Sequence, residues 1–206
     1  METLRKNTIT VVLVLISFTG FSQSMDALQI IFSKSYEAEN AKNYTAAIGE
    51  LKAVYDAGSY IINIRLGWLS YLAKQYTESI SYYEKAIALK PYAIEARFGC
   101  VKPLSALEYW EKVKNNYLEI LTIDPQNTIA NYWLGVIIYN RKDFNSAARL
   151  FEKIVNLYPL DYDSVIMMAW SKLKGGKTSD AKVLFQQALI IRPNDSSAIN
   201  GLKLIP

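Results

Sequence analysis

Apolar side chains recur along much of this chain at spacings of three and four, the mark of one buried helix face. Ile80, Tyr83 and Ile87 form such a face, with Tyr76 just ahead of it. The same grid returns at a longer interval. Pro91, Pro125, Pro159 and Pro193 are spaced 34 residues apart. Eight residues before each proline stands a large ring: Tyr83, Tyr117, Phe151 and Phe185. Five residues before stand Ala86, Ile120, Ile154 and Ala188, and twelve before stand Ser79, Val113, Ala147 and Ala181, mostly small. Further upstream come Leu66-Gly67, Cys100-Val101, Leu134-Gly135 and Met168-Ala169. Each copy therefore predicts a pair of helices. The proline ends the second, because it has no N–H and clashes with the turn before it. Gly67 and Gly135 lack a Cβ, so the paired helix can come close. One pair cannot bury its apolar face alone, whereas five stacked pairs can, as a right-handed α-solenoid. The expected fold class is all-α.

The grid resembles the tetratricopeptide repeat (TPR). That family's pattern wants a large then a small residue in the first helix. It wants a small residue, an aromatic and a small or apolar residue in the second, then proline. Gln75-Tyr76-Thr77-Glu78-Ser79-Ile80 and Asp143-Phe144-Asn145-Ser146-Ala147-Ala148 also look like the family's turn into its second helix. In the family register the repeats run 60–93, 94–127, 128–161 and 162–195. A weaker copy covers about 28–59, on Tyr44, Ala47, Ile48, Leu51 and Val54; it has Ser59 in place of the proline and is about two residues short. Ser196 to Ile205 reads as a terminal capping helix, with Ile199, Leu202 and Leu204 on the core and Asn200 and Lys203 outward. One residue breaks the pattern: Pro103 falls inside a first helix. There it removes a hydrogen bond and can cost ~3 kcal/mol or more, so a kink or early break is expected at Cys100 to Lys102.

Ahead of the repeats, Arg5 and Lys6 precede an apolar run from Ile9 to Phe18, followed by small and polar residues through Ser24. Charge, apolar stretch and small-residue tail in that order predict a signal peptide over residues 1–24. The apolar stretch is about half of the roughly 20 residues a spanning helix needs. No Cys follows it, so lipoprotein processing is not expected. The ending Phe21-Ser22-Gln23 resembles signal peptides of Bacteroidota. The expected mature chain, 25–206, is exported to the periplasm or beyond and carries a charge of +3, against +4 for the whole.

Composition narrows the chemistry. With no His and one Cys, the usual zinc sites, Ser-His-Asp and Cys-His catalysis, and an internal disulfide are all excluded. Asp161 and Asp163 bracket Tyr162 without the further acids or Gly of a calcium loop, and read as turn and cap residues. Gly175-Gly176 before Lys177-Thr178 lacks the strand and spacing of a phosphate loop. Cys100 reads as a small buried hydrophobe. No cofactor, metal or catalytic residue is expected. The mild charge and the absence of a basic run argue against nucleic acid or membrane as a partner.

What remains is surface. By the TPR resemblance, the first helices line a concave groove, here with Phe32, Tyr36, Trp68, Tyr71, Phe98, Lys102, Tyr132, Tyr139 and Trp170. Trp133 borders it. Trp68 and Trp170 stand where polar residues are usual in the family. Two readings stay open for them: contact with a partner, or packing on neighbouring repeats. The two-carboxylate clamp of chaperone-binding TPR domains is missing, since Asn40, Leu72, Ala106, Asn140 and Lys174 stand at one set of wall positions and Phe, Ile and Tyr at another. The expected function is a periplasmic protein–protein interaction scaffold that binds an apolar or aromatic peptide or helix, without catalysis. A self-associating structural protein, giving a homo-oligomer, or a non-catalytic subunit positioning an envelope enzyme are the alternatives.

Overall fold

The computed structural model describes residues 25–205, and the signal-peptide expectation lies outside the described residues. Among the described residues all regular secondary structure is helical. The chain divides into two compact units, up to Lys90 and from Pro91 onward.

The first unit holds α1 (residues 25–40), α2 (Tyr44–Lys52), α3 (Tyr60–Leu72) and α4 (Tyr76–Leu89). Its core gathers Ala47, Leu51, Leu66 and Leu69, all fully buried, with Ile48 and Ile62. Helix α2 has 9 residues against 14 in α4, so this pair is shortened in its second helix. The chain leaves it through a tight turn in which the Asp56 carboxylate accepts from Gly58 N–H at 2.8 Å.

The second unit holds α5 (Ile94–Ala106), α6 (Trp110–Ile123), α7 (Thr128–Asn140), α8 (Phe144–Leu157), α9 (Tyr162–Lys174), α10 (Thr178–Ile191) and α11 (Ser196–Lys203). From α3 onward every first helix begins 34 residues after the last, and so does every second helix from α4. The ring before each proline is buried: Phe151 and Phe185 are fully enclosed, Tyr83 and Tyr117 nearly so. Space for it comes from the small residues opposite. A Cβ added at Gly135 would lie 2.8 Å from the Phe151 ring, and one at Gly201 would lie 2.2 Å from Phe185. Only glycine lets these helices reach those rings.

The turn inside each pair is also periodic. Lys42, Lys74, Glu108, Lys142 and Gly176 all take positive φ, between 58° and 80°. The N–H after each reaches five residues back, as from Gln75 to the Ser70 carbonyl and from Lys177 to the Lys172 carbonyl, both at 2.8 Å. This left-handed cap satisfies carbonyls that the helix end leaves open. Gly176, at φ 80°, is the glycine this geometry favours; four copies use Lys or Glu instead. Gly175-Gly176 thus belongs to an interhelical turn.

Two expectations are corrected. The early break expected at Cys100 to Lys102 does not occur: helix α5 continues through Pro103, with the same 13 residues as α3, α7 and α9. The proline side chain is fully buried, so packing on the core holds the helix through the lost N–H bond. At the C-terminus, Leu204 is 62% exposed and does not cap the core. Helix α11 ends at Lys203, and Leu204 turns outward as its cap residue. Ala198 and Gly201 are the buried residues of α11, with Leu202 and Ile205 against the same cluster.

Candidate functional site

The connections between pairs are held by polar residues that the apolar grid does not reveal. Asn131 is fully buried in the first turn of α7 and donates to the carbonyls of Pro125 (3.1 Å) and Asn127 (2.9 Å). Asn63 does the same in α3, toward Ala57 and Ser59. Each Asn ties a first helix to the loop before it. The helix starts are capped as well: Ser59, Asn127, Asp161 and Asp195 each accept a hydrogen bond from the backbone N–H three residues on. Asp161 is therefore the N-cap of α9, as its turn position implied.

These anchors shape an open pocket of about 930 Å³ in the second unit. Its floor is α7, through Ile129, Tyr132 and Trp133. One wall is the end of α8 with the loop after it, through Leu157, Tyr158 and Leu160. The start of α9 closes it with Asp161 and Asp163. The loop is pinned from behind by Gln187, whose side-chain amide donates to the Pro159 carbonyl at 2.8 Å. Large apolar groups here stand in water: Ile129, Trp133, Tyr158 and Leu160 are 56, 49, 58 and 75% exposed. Tyr132 lies edge-on to both Trp133 (5.4 Å) and buried Phe151 (5.7 Å), so the floor is braced from the core. Burial pushes the Tyr132 phenol pKa above its ordinary value, and the Asp163 and Asp161 charges add to that.

The expected groove residues fall into three situations. Trp68 and Trp170 are half-buried against their own cores. Their indole N–H groups are spent inside the chain, on Glu39 at 2.6 Å and Ser197 at 2.9 Å. Trp170 also lies edge-on to Phe185 at 5.1 Å. Tyr71 and Phe32 pack in the first unit, Tyr71 beside Trp68 and Tyr76. Phe98 packs on Tyr117, and Tyr139 on Phe144. Tyr36 covers the guanidinium of Arg65, which is buried and ion-paired with Glu39. Lys102 is exposed on α5. Of the nine, the pocket takes only Tyr132. Leu160, Tyr158 and Asp163 were missed, because they lie in or beside a loop outside the helical grid; Trp133, one residue past Tyr132, was the available signal.

Comparison with known proteins supplies the family. The tetratricopeptide repeat models match residues 33–94 and 130–161. The chain is built of tetratricopeptide repeats. A TPR protein from Parabacteroides merdae superimposes with a TM-score of 0.72, at 19% identity over 86% of this chain and 71% of that one. MamA superimposes with a TM-score of 0.70, at 15% identity over 81% of this chain and 92% of its own. YrrB, described as a TPR protein with an unusual peptide-binding site, gives 0.68 at 15% identity over 84% and 91%. These likenesses concern the fold, an α-solenoid of TPR helix pairs. By sequence, the BBSome complex member BBS4 of Mus musculus is 30% identical over 141 residues. This chain spans about a quarter of that relative's length, 27%. TPR arrays act generally as protein–protein interaction scaffolds, and a protein partner is what this TPR fold implies. No helix among the described residues is long and apolar enough to cross a membrane.

Proposed function

We propose that this chain is an exported, non-catalytic adaptor that holds a protein partner through an apolar or aromatic segment seated on α7. The observation that carries this is the pocket on α7, where Trp133, Ile129 and Leu160 remain exposed together around 930 Å³ of open space. Large apolar side chains grouped with a few polar groups around an open pocket are the usual setting of a binding site. The peptide site of YrrB and the complex membership of BBS4 are consistent with that use. Export rests on the leader pattern of Arg5, Lys6 and the apolar run after Ile9.

Two measurements test the reading. Protein recovered from the envelope should begin between Gln23 and Met25; an intact Met1 in membranes would contradict export. Partner capture from native envelope should survive Trp68→Ala, whose ring serves the first unit's core, and fall by ~2 kcal/mol or more with Trp133→Ala, as for an interface hot spot. Equal capture by Trp133→Ala and parent would remove the pocket from the function.

A further inference from the structure

The adaptor reading leaves the chemistry of the partner open, and the rim of the α7 pocket speaks to it. Asp161 and Asp163 are the ionisable carboxylates lining that pocket, and none of its lining residues is Lys or Arg. Asp161 caps α9 and Asp163 lies in its first turn, where a negative side chain complements the helix dipole. Asp163 is exposed and stands beside the exposed apolar side chains of Trp133 and Leu160 in the same pocket. A negative rim on an apolar floor is an unusual juxtaposition in a chain whose net charge is +4. Its complement is equally specific.

We propose that this pocket binds a basic–apolar protein segment: one large apolar side chain set on Ile129, Trp133 and Leu160, with a neighbouring Lys or Arg paired to Asp163. The inference rests on the adaptor reading and adds the partner's charge. An acidic segment would meet like charge at the rim, which costs affinity and slows encounter. Asp161 is less free, because one carboxylate oxygen already accepts from Ser164 N–H at 3.0 Å.

The test uses the full chain and two fluorescent twelve-residue peptides, each with a central Leu-Phe pair, one flanked by Lys and the other by Glu. The Lys peptide should bind about tenfold more tightly, with an advantage that shrinks as salt rises. Asp163→Asn should cut that preference to about threefold or less, and Asp163→Lys should reverse it. Leu160→Ser should weaken both peptides alike by about fivefold or more, since an anchor contact is lost whatever the charge. Both sites are exposed, so Asp163→Asn and Leu160→Ser should melt close to the parent. Equal affinities, a Glu preference, no binding of either peptide, or an unchanged preference in Asp163→Asn would overturn the proposal. Photocrosslinkers placed at Ile129 and Trp68 in the producing cell separate this failure from failure of the adaptor reading. A basic segment caught at Ile129 supports the proposal. An acidic segment there, a second copy of the chain there, or a partner caught only at Trp68 overturns it while leaving an interaction role standing. No crosslink at either site would overturn both.

Discussion

The copies at 94–127 and 128–161 form helices of equal length, 13 and 14 residues, from very different local resources. Helix α7 is capped by Asn127 and α8 by Asp143, while α5 and α6 start at Ala93 and Tyr109 with no side-chain cap. Gly135 admits the Phe151 ring, where the other copy has Val101. Buried Asn131 holds the preceding loop with two bonds near 3.0 Å; Arg97 makes a single longer one, 3.4 Å, to Pro91. Only the copy at 94–127 carries a proline within a helix. What the copies share is the buried ring itself, Tyr117 in one and Phe151 in the other. The shared part is enough to set both helices. Caps and propensity then adjust stability, because most helical stability in a protein comes from packing an apolar face.

The largest effect should come from the shared part. Phe151→Ala should destabilise the chain by about 3–5 kcal/mol in denaturant unfolding, the range for truncating a buried aromatic. A variant that unfolds like the parent would break the comparison at its base. Next comes the close approach that distinguishes the copies. Gly135→Ala places a Cβ against the Phe151 ring, and should cost about 1–3 kcal/mol despite alanine's better helix propensity.

Caps should matter less, and in opposite directions. Asn127→Ala should lose about 1 kcal/mol. Ala93 already has the extended backbone of a cap residue, φ −81° and ψ 112°. Ala93→Asp should therefore gain about 0.5–1 kcal/mol, narrowing the gap between the copies. No gain in the denaturation midpoint would mean that α5 is limited by Pro103 rather than by its start.

The smallest change at neutral pH should come from Tyr117→Phe, which makes the two rings alike. Burial pushes the Tyr117 phenol from its ordinary 10.0 up to about 12. A raised folded pKa gives stability that is complete below 10 and is lost as pH rises through about 12. Unfolding of the parent should grow easier across that window, and Tyr117→Phe should flatten the decline. Equal slopes in both proteins would show that other groups control the alkaline limit.

The sequence by itself determined the number of helices, their spacing and the rings at their centre. Burial in a helix obeys a local period, and four copies of Tyr or Phe eight residues before a proline repeat the instruction until it is unambiguous. Pro103 shows where local rules stop: its cost is local, but its burial in the core is set by the fold. The tryptophans show it again. A register placed Trp68 and Trp170 on their helices, yet only tertiary structure brought Glu39 and Ser197, 29 and 27 residues away in the chain, to their indole N–H groups. The pocket was decided in the same way. Trp133 stands on a helix face, Leu160 in a loop and Asp163 in the next helix, and periodicity assigns faces without saying which loop lies over which face. That last arrangement is fixed by long-range packing and by hydrogen bonds such as Gln187 to Pro159, which no spacing in the sequence encodes.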